Sequence, residues 1–227
     1  MSNIIPKHIG FILDGNRRWA KERGITAFQG HYAGFKRAKE IIEYADSQGL
    51  EAITMYCFSK ENWSRSKEEV DYLMDIFTNF VKRYLDKMHA KNRRLKHLGD
   101  INGLPKKLAT VIAKALEKTK DNTGMVIQLA LNYTGQDEIK RALEKLVEKK
   151  LPITVENITD NLDTAGVPDP DLIVRTSGEQ RLSGFLLWQS TYSEFYFPEV
   201  HWPDFTTEEF DKAVSEFSKR QRRFGGN

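Results

Sequence analysis

The sequence predicts an α/β fold built on a mainly parallel central sheet flanked by helices. Two observations carry that expectation. Short apolar runs alternate with longer segments of helical period along the chain. Polar clusters follow several of those runs, where parallel strands end and ligands of such sheets bind.

The elements follow in order. An apolar run at 8–13 stops at the turn cluster Asp14-Gly15-Asn16, and a polar segment of helical character comes next. From 34 to 47, Phe35, Ala38, Ile41, Ile42 and Ala45 recur at helical spacing. Gly49 then precedes a second apolar run at 52–58. The alternation continues with a long helix at 68–90, a short strand at 94–98, a helix at 105–120 and a buried strand at 125–131. An amphipathic helix at 137–149, a strand at 171–174 and a terminal helix at 207–219 complete it, the last opened by Thr206-Thr207 and Glu208-Glu209. The loosest stretch, 151–170, reads as a surface excursion within a single domain spanning 1–227.

Composition excludes several classes. With 35 Lys plus Arg against 32 Asp plus Glu, the net charge of +3 is too small to make nucleic acid or an acidic membrane the main partner. The single cysteine, Cys57, leaves no internal disulfide or Cys-rich zinc cluster and fits a reducing, cytoplasmic compartment. Residues 1–7 lack an apolar signal core and no run is long enough to span a bilayer, so neither secretion nor membrane insertion is expected.

The chemistry-bearing residues fall in clusters. Asp14-Gly15-Asn16-Arg17-Arg18-Trp19 joins a carboxylate to two guanidiniums, the chemistry that holds a magnesium-bound phosphate ester. Gly10 and Gly15 have P-loop spacing, yet Asn16-Arg17 stands where Lys-Ser or Lys-Thr belongs, so a nucleotide reading fails at its most informative positions. A second loop, from Arg175 to Ser183, supplies Arg175, Arg181 and hydroxyls. Two phosphate-binding loops suggest two phosphorylated substrates. His89, His97 and His201 have no metal-ligand spacing with one another.

These blocks resemble the cis-prenyltransferase family, which includes undecaprenyl diphosphate synthase. The resemblance rests on His8 through Ala20, Gly30-His31, Phe58-Ser-Lys-Glu-Asn-Trp-Ser-Arg65, Asp171 through Ser183, Phe185-Leu-Leu-Trp-Gln189, Tyr192-Ser-Glu194 and Trp202-Pro-Asp-Phe205, in order over essentially the whole chain. It implies an enzyme that condenses isopentenyl diphosphate onto an allylic diphosphate, farnesyl diphosphate being the expected primer and an undecaprenyl-like diphosphate the expected product. Mg2+ is the implied cofactor and a homodimer the implied assembly, with no nucleic acid and with peripheral membrane contact. Asp14 and Glu194 correspond to metal-linked acids, and Asp14, His31 and Asn62 to catalytic residues. Gly15, Asn16, Arg17, Arg18 and Trp19 correspond to the allylic diphosphate site, and Arg175, Arg181, Ser183 and Arg223 to the isopentenyl diphosphate site. Ser59, Trp63, Arg65 and Glu69 correspond to a mobile segment over the site.

A growing chain needs an apolar substrate tunnel between sheet and helices. Ile53, Met55, Ile127, Leu129 and Leu131, with Leu73, Ile76, Phe77, Phe80 and Val81, could wall one, although their periodicity alone reads better as ordinary core. One departure stands out: Ala27 occupies the position, four residues before the histidine, where the family commonly carries an arginine. Either Arg17, Arg18 or Arg23 compensates, or allylic affinity falls, or the residue was altered; a lost charged contact is worth about 1.5–3 kcal/mol. A short-chain synthase and a catalytically weakened subunit of a prenyltransferase complex are the alternatives.

Overall fold

The computed structural model describes residues 5–220. Its strands β1 (His8–Ile12), β2 (Ala52–Ser59), β3 (Arg94–Leu98), β4 (Val126–Tyr133), β5 (Leu172–Arg175) and β6 (Glu194–Tyr196) form one sheet. The order is β3-β4-β2-β1-β5-β6 and every pairing is parallel. The helices are α1 (Asn16–Glu22), α2 (Ala27–Ser47), α3 (Lys67–Ala90), α4 (Lys106–Thr119), α5 (Gly135–Glu148), α6 (Val155–Asn161) and α7 (Thr207–Lys219).

Chain order places the crevice. From β1 the chain moves to β2 on one side, and from β4 it crosses back to β5 on the other side of β1. The carboxyl ends of β1 and β5 therefore flank the point where strand order reverses, where open parallel sheets bind ligands. Asp14 follows β1 and Arg175 ends β5.

All five residues of β1 are buried, as expected for a strand covered on both faces. On one face, Phe11 meets the rings of Trp202 and Phe205, each at 5.8 Å, in the tilted and edge-on arrangements aromatic rings favour. Ile9, Ile53, Met55 and Ile127 join that core with Ile41 of α2, Leu73 of α3 and Ile112 of α4. On the other face, Ile12, Tyr56, Ala130 and Ile173 pack with Phe185 and Leu186.

Three elements differ from the sequence expectation. α2 begins at Ala27, seven residues before the expected start at 34, because Thr26 and Gln29 form a reciprocal capping box. His31 is consequently a helical residue. α6 lies within the stretch read as irregular, started by the Thr154 hydroxyl accepting from the Asn157 backbone N–H. β6 is three residues long and too short to show a period. No described helix is long and apolar enough to cross a membrane.

Candidate functional site

A cavity of about 1360 Å3 opens at the carboxyl ends of the strands and extends between the sheet and α2 and α3. Asp14, Asn16, Arg17, Arg18, His31, Asn62, Arg65, Arg175 and Ser183 line it, so residues up to 169 positions apart in sequence meet there. Deeper, Leu73, Ile76, Phe77, Phe80, Val81, Met55 and Leu129 form an apolar wall. Ile53, Ile127 and Leu131, also expected in that wall, are buried in the core instead. They lie on the same faces of β2 and β4 as Met55 and Leu129, two residues along each strand, and pack against other core side chains rather than the cavity.

Asp14 occupies the mouth. One carboxylate oxygen accepts from Arg175 Nη2 at 2.9 Å, and the other lies 3.1 Å from Arg18 Nη2. Burial opposes ionisation of Asp14, but the hydrogen bonds and charges of Arg175 and Arg18 outweigh it and hold the carboxyl below its usual range. Gly15 turns the chain with φ +102°, in the region that favours glycine. Asn16 donates to Leu13 O at 3.2 Å, while its Oδ1 is buried with no hydrogen-bond partner.

Arg175 is 5% exposed and also donates to Arg181 O at 2.6 Å and to Ser183 Oγ at 2.8 Å, while its Nε is buried without a partner. It thus organises the whole second loop around its guanidinium. Arg181 turns away from the cavity to pair with Glu179, which also accepts from Arg18 at 2.8 Å. Sequence reasoning left Glu179 without a role; its spacing offers no signal, since it meets Arg18 only through the fold.

On the opposite wall, His31 Nε2 stands 2.9 Å from Glu69 Oε1, and Arg65 Nη1 donates to the same oxygen at 3.2 Å. Arg17 is 3.9 Å from the other Glu69 oxygen. Burial lowers the His31 pKa, with Glu69 pulling it back up; Glu69 is held below its usual range as His31 and Arg65 overcome its burial. Asn62 lies in a 3-10 turn, Lys60–Ser64, where its Oδ1 accepts from Ser59 N at 3.1 Å. The turn arises after a bulge: β2 carries an extra residue at Cys57, between Tyr56 paired with Ala130 and Phe58 paired with Leu131. Trp63 donates to Asn132 Oδ1 at 2.8 Å and packs edge-on against Phe58.

Some expected members stand elsewhere. Trp19 donates to Asp204 Oδ1 at 2.8 Å and does not line the cavity. Arg23, a proposed stand-in at the Ala27 position, stacks on Trp19 and pairs with Asp204. Lys21, which sequence reasoning did not name, lines the cavity, as does Ala27. Glu194 pairs in register with Leu172, three residues before Arg175, and its carboxylate accepts from Arg220 at 2.8 Å. About 10 Å of strand thus separates it from the Arg175 level. Asp14 and Glu194 do not meet within one chain. Arg223 lies outside the described residues.

The donor set suits a magnesium ion only when substrate oxygens complete it. Among the described residues no group of three or more His, Cys, Asp or Glu could hold a metal, whereas one carboxylate plus phosphate oxygens is a usual Mg2+ environment.

Residues 12–225 match the protein family described as "Putative undecaprenyl diphosphate synthase". An isoprenyl transferase from Clostridium perfringens is 47% identical, covering 98% of this chain and 90% of that protein. A ditrans,polycis-undecaprenyl-diphosphate synthase from Micrococcus luteus, named as (2E,6E)-farnesyl-diphosphate specific, is 44% identical over 98% of this chain and 92% of its own. The crystal structure of lavandulyl diphosphate synthase from Lavandula x intermedia, in complex with dimethylallyl diphosphate, superposes with a TM-score of 0.93 at 35% identity. It covers 97% of this chain and 98% of that one.

Proposed function

We propose, for a chain that belongs to the undecaprenyl diphosphate synthase family and is a prenyltransferase, that it condenses isopentenyl diphosphate onto farnesyl diphosphate to give an undecaprenyl-like diphosphate. The observation that carries this reading is the single cavity in which Asp14 and the arginines stand at the mouth and the apolar wall runs inward. Its volume, about 1360 Å3, exceeds the roughly 300–1,000 Å3 of ordinary small-molecule pockets, as a long hydrocarbon tail requires.

In this reading the allylic diphosphate rests against Asp14, Gly15, Asn16, Arg17 and Arg18, with Lys21 adding charge. Isopentenyl diphosphate rests against Arg175, Ser183 and, after it leaves Glu179, Arg181. The allylic C1–oxygen bond breaks, the diphosphate departs with the electron pair, and the isopentenyl double bond attacks C1. Loss of a proton leaves the new cis double bond. Bound Mg2+, held by Asp14 and diphosphate oxygens, would neutralise charge on the leaving group. The guanidiniums serve the same developing charge as preorganised donors. A neutral His31 is a competent proton acceptor, as is a diphosphate oxygen.

A homodimer and peripheral membrane contact belong to the same reading. Within it, Glu194 could help the metal only from a second copy, since its own chain holds it away from Asp14. A shorter product is the second reading, favoured by the likeness to lavandulyl diphosphate synthase.

The test mixes purified protein, Mg2+, radiolabelled isopentenyl diphosphate and farnesyl diphosphate, and resolves products by chain length. A magnesium-dependent polyprenyl series absent from Asp14→Ala supports the reading, and the length of the series decides between the two products. No product with farnesyl or geranyl diphosphate sinks it in favour of a weakened subunit.

A further inference from the structure

Beneath the Asp14 turn lies a row of three side chains that the proposed reaction does not use. Ser177 Oγ is 2.7 Å from His201 Nδ1, and His201 Nε2 is 2.9 Å from Glu22 Oε1. Ser177 comes from the loop after β5, His201 from the turn before Trp202, and Glu22 from the end of α1. Nothing in the sequence spacing joins them.

Proton accounting fixes the direction of the row. Glu22 can only accept, so Nε2 carries a hydrogen and donates it. Asp14 O already accepts from Trp202 N at 2.9 Å and from Thr176 Oγ1 at 2.7 Å, which fills its two lone pairs. The Ser177 hydroxyl is within donating distance of the same carbonyl, at 3.0 Å, but His201 Nδ1 at 2.7 Å is the nearer acceptor and has no other donor among the described residues.

The order serine, histidine, carboxylate is that of an acyl-transfer triad, but the surroundings rule out a nucleophile. Ser177 is 8% exposed and does not line the cavity. A Cβ placed on Gly15 would stand 2.1 Å from Ser177 Oγ and 2.6 Å from His201 Nδ1. The backbone of the Asp14–Gly15 turn fills the space an acyl carbon would need. The same distances explain the glycine: the turn rests directly on the row. Ser177 itself holds φ +74°, a left-handed conformation that costs a serine energy and persists where surrounding contacts over-determine it.

We infer that His201 is a positioning residue for Asp14. Through Ser177 and the Gly15 turn it fixes the height at which the Asp14 carboxylate enters the cavity, and Glu22 fixes the imidazole. The inference rests on the proposed reading only in taking Asp14 to face the diphosphates. Partners of this kind, one contact removed from a reacting or ligating group, typically change activity ten- to roughly a hundredfold when lost.

The experiment compares His201→Ala, His201→Asn, His201→Gln and Ser177→Gly in the full chain. Steady-state kinetics, thermal unfolding and amide hydrogen exchange over 12–18 are measured for each. The expected result for His201→Ala is a kcat about ten- to a hundredfold lower, with the farnesyl diphosphate KM within about threefold. Exchange at the Asp14–Gly15 amides should quicken. An asparagine amide reaches the Nδ1 position and a glutamine amide the Nε2 position, so Asn should restore more activity than Gln. Should the alanine variant fail to fold, Ser177→Gly carries the test, since it cuts the link while relieving the backbone. Unchanged kcat and exchange in a folded His201→Ala or Ser177→Gly overturns the inference, and so does recovery by Gln but not Asn. If the wild type makes no polyprenyl product, the functional reading fails by itself and the exchange data still decide whether the row holds the turn.

Discussion

His31 Nε2 lies 2.9 Å from Glu69 Oε1, joining α2 to the first turn of α3 across the cavity wall. Burial favours the neutral ring and Glu69 opposes it, with burial the larger effect. In the neutral state the Nε2 hydrogen goes to Glu69. Glu69→Gln removes the charge that pulls the His31 pKa upward, so the pKa should fall further below 6.5, the ordinary histidine value. NMR titration of His31 in both proteins checks this. A pKa that rises in Glu69→Gln would contradict it. If His31 takes the proton in the reaction, the acid limb of the kcat profile should move to lower pH in the same variant.

His8 gives a pH dependence of stability remote from the cavity. Its Nδ1 donates to Pro168 O at 2.7 Å, and burial lowers its pKa to about 4. Below pH 6.5, the ordinary histidine value, the unfolded chain binds a proton here that the folded chain resists. The contribution of His8 is therefore complete above that pH and is lost as pH falls toward about 4. Between about pH 7.5 and 5 the loss is about 2 kcal/mol. Urea unfolding at the two values should show a smaller difference in His8→Asn than in wild type. Equal differences would show that His8 does not carry the effect.

Asp14 and Arg175 form a half-buried pair, and breaking it from either side should cost differently. Asp14→Asn keeps the shape but removes the charge, and kcat should drop by roughly 10²–10³ if it stabilises the departing diphosphate. Arg175→Ala also unpins Arg181 O and Ser183 Oγ, so it should lower the thermal midpoint as well as activity. Kinetics and thermal unfolding on the two proteins separate these outcomes. Asp14→Asn with wild-type kcat would remove Asp14 from the chemistry.

Ala27 offers a gain-of-function test. It lines the same cavity as Arg17, Arg18 and Lys21, while Arg23 is occupied by Trp19 and Asp204. Ala27→Arg should lower the allylic diphosphate KM by about tenfold or more, the worth of one charged hydrogen bond. The isopentenyl diphosphate KM should hardly change. An unaltered allylic KM would mean that Lys21 and Arg17 already suffice, or that the allylic head sits elsewhere.

The parallel sheet was legible because β1, β2 and β4 are nearly continuous apolar runs separated by helical periods. The site clusters at Asp14 and Arg175 were legible because charge follows those runs abruptly. What the sequence hid depends on contacts between distant segments. His201 read as an isolated histidine until the fold placed it against Ser177, and Trp19 and Glu194 matched a motif yet face Asp204 and Arg220. The first turn of α2 carries no apolar spacing, because it is held by the Thr26–Gln29 cap rather than by buried side chains.

If the prenyl chain grows along this apolar wall, Phe80 should limit product length. It is 8% exposed, lines the main cavity with Ile42, and shares a second, small cavity beneath with Ile42, Tyr84 and Ile127. Its ring packs edge-on to Phe35, which lines the main cavity, at 4.9 Å, and lies 5.0 Å from Tyr84, which lines the smaller one. Phe80→Ala should join the cavities and lengthen the product distribution by one or more five-carbon units. The same change should destabilise the fold by about 3–5 kcal/mol, since a large buried side chain leaves a void. Phe80→Leu gives a milder version, with partial opening and a smaller loss. Product sizing on both variants, at a temperature where each remains folded, decides the matter. An unchanged length with Phe80→Ala would place the limit elsewhere along the wall formed by α3 and the sheet, whereas a graded shift from Leu to Ala would tie it to the volume of this one ring.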